Sequence, residues 1–61
     1  MSYDYYHLLT EKDLRAIRAR AVARLERARQ RQQSEVIQQI ERQLGALDTE
    51  LGRRAAALDN L

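Results

Sequence analysis

The chain has 61 residues, of which 11 are basic and 9 acidic, with one histidine and a formal net charge of +2. It contains no Cys, Pro, Trp or Phe, which excludes a disulfide framework, a thiolate metal site and a cysteine nucleophile. A chain this short forms one domain at most, buries only about 60% of its unfolded surface, and cannot enclose a pocket of a few hundred Å³ within one subunit.

Ala, Leu, Arg and Gln dominate the composition, and all four are good helix formers. Two Val and three Ile are too few to suggest a sheet, so the expected class is all-α. No run of 18 apolar residues is present, so no transmembrane span is expected. The N-terminus lacks the basic head and apolar core of a secretory leader, and the expected compartment is the cytoplasm.

Residues 1–9, MSYDYYHLL, read as an aromatic N-terminal tail. Tyr3, Tyr5 and Tyr6 stand beside Leu8 and Leu9. Tyrosines bury large area at low entropic cost, so this cluster either covers the end of the helical core or binds a partner. Asp4, His7 and Glu11 would share a face on a helix, but the helix start signal falls after His7. With no second His and no Cys, no metal site and no cofactor are expected.

The first helix is predicted from residue 11 to 31. Thr10 is placed to cap it by accepting from the amide of Asp13. Leu9 and Leu14 take the hydrophobic-staple positions, and Glu11 and Asp13 suit the positive end of the helix dipole. Leu14, Ile17, Ala21, Leu25 and Ala28 recur in steps of three and four, forming a stripe about 80° wide. Half of that stripe is alanine, which suits close packing against one other helix.

A turn is predicted at Gln32–Ser34, with Ser34 capping a second helix over 35–59. There Ile37, Leu44, Leu51 and Leu58 repeat every seven residues. Ile40, Leu47 and Leu61 occupy the companion positions, interrupted by Arg54. This is a coiled-coil seam. On one continuous helix the two stripes would be rotated by roughly 110°. The expected architecture for residues 10–61 is therefore a hairpin of two antiparallel helices, self-associating into a coiled-coil-like bundle. The other reading is a single long helix with two faces, favoured by the lack of Gly or Pro at the turn.

Charge distribution supports the hairpin. Residues 15–31 carry seven Arg and one Glu, a block of +6 between two segments of −2. Arg20, Arg24, Arg27 and Arg31 line one side of the first apolar stripe, and Arg15, Arg18 and Arg29 line the other. On the second helix Glu41, Asp48 and Asp59 flank one edge of the seam, and Glu50 the other. Opposite charges beside facing seams select partner and orientation.

An arginine block followed by a leucine heptad is similar to the basic leucine-zipper layout, and nine residues separate Arg27 from Ile37 as that layout requires. The likeness ends there. Ala19 stands where that family places its base-reading Asn, Glu26 would face the DNA backbone, and Leu14, Ile17 and Leu25 would be stranded on a polar surface.

The functional expectation is a small non-enzymatic protein-protein interaction module: an adaptor, regulator, inhibitor or co-chaperone. Its two serines have no neighbouring base, and a small helical pair offers no site to desolvate an acid. Leu14, Ile17, Leu25, Ile37, Ile40, Leu44, Leu47, Leu51 and Leu58 are assigned to the seam that pairs it with itself. Tyr3, Tyr5, Tyr6 and the small-residue stripe of Gly45 and Gly52 are the candidate contacts to another protein. The alternative is a small dimeric nucleic-acid-binding regulator, with Arg20, Arg24, Arg27 and Arg31 contacting phosphate. No membrane surface and no small-molecule substrate are expected.

Overall fold

A computed structural model describes residues 4–59. A short 3-10 helix over Asp4–Leu8 leads into α1 (Glu11–Gln30) and α2 (Ser34–Asp59), which pack against each other as an antiparallel hairpin. Tyr3 and Leu61 lie outside the described residues.

The start of α1 follows the local chemistry. Thr10 has extended backbone angles, and its hydroxyl accepts from the Asp13 amide at 3.1 Å. Leu9 packs against the cluster that contains Leu14, as the staple requires.

The turn is built without glycine. The Gln32 amide donates to the Arg29 carbonyl at 3.1 Å, and the Gln33 amide donates to the Ala28 carbonyl at 3.0 Å. These two bonds form a Schellman motif, whose hallmark is a left-handed residue just past the helix. Gln32 takes that place with φ of 55°. The first helical turn of α2 then closes on the Gln33 carbonyl, which accepts from Ile37 at 2.9 Å. So α1 ends at Gln30 rather than Arg31, and α2 begins at Ser34 rather than Glu35. Gln33, not Ser34, is the cap of α2. A left-handed backbone costs an L-residue about 1–2 kcal/mol, and glycine avoids most of it. Gln32→Gly is therefore expected to stabilise the hairpin by about 0.5–1 kcal/mol, raising Tm by several degrees. Gln33→Gly, a residue outside that conformation, should give no gain. Thermal melting by circular dichroism compares the two.

Packing between the helices is centred on one row from each. Leu14, Ala21 and Ala28 of α1 meet Ile40 and Leu47 of α2, all essentially buried. Ala21 and Ala28 form one cluster with Ile40, and Leu14 forms the other with Leu47 and Tyr6. The seven-residue spacing of both rows keeps them in register on each helix. The alanines leave room for the two backbones to approach, and Ile40 fills the space. Ile37, Leu44 and Leu51 are only half-buried, flanking this centre rather than forming it.

Candidate interaction surfaces

The geometry of the hairpin divides its surface into two long flanks. On each helix the central row sets a zero, and each residue advances by about 100°. One flank then carries Arg15, Arg18, Val22, Leu25 and Arg29 of α1 beside Ile37, Glu41, Leu44, Asp48 and Leu51 of α2. The ion pairs that span the helices agree with this division. The Arg18 Nε donates to Asp48 Oδ1 at 2.6 Å, and Arg29 Nη2 donates to Glu41 Oε2 at 3.4 Å. Asp48 holds the Arg18 guanidinium proton more firmly than usual, chiefly through that hydrogen bond. Arg15 pairs with Glu11 one turn earlier at 3.4 Å. Arg15, Arg18, Ala19, Asp48 and Leu51 together line an open depression.

This first flank is therefore apolar along its middle and charge-balanced along its edges. Val22 on this flank is 39% exposed. Exposed ion pairs of this kind contribute about 0–1 kcal/mol each, so their main effect is to set register and to cancel charge.

The opposite flank is organised differently. Arg20, Arg24, Arg27 and Arg31 run along α1, all exposed. Val36, Gln39 and Gln43 lie across from them on α2 and carry no charge. Beneath the far end of this flank Ile17, Ala46, Leu14 and Leu47 receive the ring of Tyr6, which is 3% exposed. Burial pushes the Tyr6 phenol above its ordinary value, with the neighbouring Tyr5 adding to the effect and a hydrogen bond to Gln43 opposing it. Tyr5 stacks obliquely on Tyr6 at 4.6 Å between ring centroids and keeps 51% of its surface exposed.

Arg54 fixes this N-terminal segment in place. Its Nη2 donates to the carbonyls of Leu9 at 2.6 Å, Tyr6 at 3.2 Å and His7 at 3.3 Å. Its Nε donates to Glu50 Oε2 at 2.7 Å. Glu50 also accepts a bidentate pair from Arg53, at 3.2 and 2.6 Å. With the hydrogen bonds from Arg53 first and Arg54 second, the Glu50 carboxyl is held down to about 2. The seam interruption at Arg54 is thus a clasp, which ties the carbonyls of Tyr6, His7 and Leu9 to α2.

The sequence-derived seam residues separate into two uses. Leu14, Ile40 and Leu47 are taken up inside the chain. Ile17 packs against the cluster that contains Tyr6, while Leu25, Ile37, Leu44 and Leu51 border the first flank and Leu58, in line with Ile40, stays exposed. Of the aromatic contacts, Tyr6 belongs to the core and Tyr5 remains at the surface. Gly45 and Gly52 face open space: a Cβ built at either meets nothing within 4 Å. The Thr49 hydroxyl donates back to the Gly45 carbonyl at 2.8 Å. Sequence reasoning missed Arg54, whose only local signal is an arginine where the heptad calls for a leucine.

Among the described residues, no helix is long and apolar enough to cross a membrane, and no group of three His, Cys, Asp or Glu lies together as metal ligands would. No family model, curated protein or solved structure matches the chain.

Proposed function

We propose that the chain is a small non-enzymatic interaction module of the cytoplasm, which pairs with a second copy of itself and thereby presents composite helical surfaces to another protein. The observation that carries this reading is the first flank, an apolar row left half-covered between edges already neutral. A second copy placed on it in antiparallel fashion buries apolar surface without bringing unpaired like charges together.

Surface area supports the same reading. The chain exposes 4978 Å², whereas a compact monomer of its mass exposes about 4,100 Å². The excess is close to the roughly 800 Å² that each partner buries in a standard interface. Two hairpins joined through this flank make a four-helix bundle, an arrangement that buries what one hairpin leaves open.

The expected result from light scattering is a mass twice the 7.1 kDa of one chain. Val22→Glu places charge on the row at a position the hairpin itself leaves exposed. That variant should stay helical by circular dichroism and fall to the mass of a single chain. A wild-type protein with the mass of one chain would contradict the proposal.

A further inference from the structure

We infer that the Arg20, Arg24, Arg27 and Arg31 row is a docking strip for the phosphate backbone of duplex nucleic acid, read without sequence preference. The four residues recur in steps of four, three and four, so they share one flank of α1 and span about 16 Å at 1.5 Å per residue. None of the four has a carboxylate within 4 Å among the described residues. By contrast, Arg15, Arg18, Arg29, Arg53 and Arg54 are all paired.

Most of the acids that could have cancelled the row are engaged elsewhere, and among the described residues Asp13 and Glu35, which border its two ends, form no ion pair with it. Glu11, Glu41 and Asp48 are used on the opposite flank, and Glu50 is held by Arg53 and Arg54. Glu26 lies roughly 100° or more around α1 from every member of the row. The α2 residues across from it, Val36, Gln39 and Gln43, are neutral. The +6 of residues 15–31 therefore resolves into one neutralised edge and one edge with its charge available.

The chemistry of that edge selects its ligand. Guanidinium groups bind phosphate oxygens through planar, bidentate hydrogen bonds. Backbone contacts of this kind position a protein on a duplex but read no bases. The row carries no aromatic side chain, and Tyr5, exposed at the far end of the flank, is a single ring rather than the succession of stacking platforms that single-strand binders use. The strip is on the side of the hairpin away from the apolar flank, so the inference does not rest on self-association.

The test is fluorescence anisotropy of a labelled mixed-sequence DNA duplex, titrated between about 50 and 200 mM salt. Four phosphate contacts predict a slope of about −3.6 in log affinity against log salt, or roughly a hundredfold loss across that range. Arg24→Gln with Arg27→Gln should halve the slope and weaken binding. Arg15→Gln with Arg18→Gln, on the paired edge, should leave it unchanged. Circular dichroism confirms that both variants are folded. Absence of binding at the lowest salt would overturn the inference. So would equal loss from both variant pairs, or equal affinity for a polyglutamate peptide, which would assign the row to an acidic protein partner.

Discussion

Leu47→Ala is expected to lower the melting temperature of the hairpin by about 10 °C or more. Leu47 has no solvent exposure and sits where Leu14 of α1, the Tyr6 ring and the half-buried Leu9, Ile17, Ala46 and Leu51 converge. Truncating a buried leucine costs about 2–5 kcal/mol, from lost transfer energy plus the cavity left behind. A domain of 61 residues commands in total only about 3–9 kcal/mol, from the usual 0.05–0.15 kcal/mol per residue. Near the middle of both ranges the substitution removes about half of the available stability, and Tm falls by about 10 °C or more. Leu8, a leucine 75% exposed in the 3-10 helix, provides the contrast. Leu8→Ala should change stability by about 0.5 kcal/mol or less. Thermal melts of the two variants side by side check the assignment of the core, and a Leu47→Ala protein that melts like the wild type would refute it.

Arg54→Met is expected to release the N-terminal segment while leaving the hairpin folded. Methionine keeps the apolar stem but removes the bonds to the carbonyls of Tyr6, His7 and Leu9 and to Glu50. Hydrogen bonds to a charged group contribute about 1.5–3 kcal/mol, and Arg54 is shielded enough, at 22% side-chain exposure, for a loss of about 2 kcal/mol. Hydrogen exchange should show the Leu9 amide, bonded to the Tyr6 carbonyl at 3.1 Å, losing protection. The amides that close the middle of α1 and α2 should keep theirs. Arg54→Lys should not rescue the segment, because an ammonium lacks the planar fork that reaches Glu50 and the carbonyls together.

The same clasp gives a pH signature. The Glu50 carboxyl is depressed to about 2 in the folded chain, below its unfolded value of about 4.3. A depressed carboxyl contributes stability that is fully present above the unfolded value and is lost as pH falls through the folded one. Leu9 protection should thus persist at pH 5 and weaken progressively toward pH 2. In Arg54→Met, where one of the two arginines on Glu50 is gone, that acid-dependent loss should shrink.

Much of this architecture is written in short-range pattern. Thr10, Leu9 and Leu14 announce the start of α1 by spacing alone, and the hydroxyl bond to Asp13 follows. The repeat through Ile40 and Leu47 and the matching Leu14, Ala21 and Ala28 place the seams. The side preference of the arginines was equally legible, since 100° steps put Arg18 and Arg29 on the edge where they meet Asp48 and Glu41.

Other features depend on contacts no local pattern encodes. A heptad does not say which of its two apolar rows faces a single partner helix. In an antiparallel pair only one row can lie on the line between the axes. Packing against the alanines of α1 gives that place to Ile40 and Leu47, leaving Leu44 and Leu51 at the flank. The turn is a second case. Local chemistry asks for glycine at a left-handed position, yet Gln32 is held there because helix packing outweighs a penalty of about 1–2 kcal/mol. Arg54 is the third. It breaks the leucine pattern, and its partners stand 45 to 48 residues earlier in the chain.

The central claim is that one hairpin is half of the working unit, and dilution tests it most directly. Folding coupled to pairing makes Tm depend on protein concentration. Melting curves recorded over a hundredfold range of concentration should shift steadily upward for the wild-type chain, and should coincide for Val22→Glu. Wild-type curves that superimpose across the whole range would show a hairpin that folds and works alone, and would contradict the account.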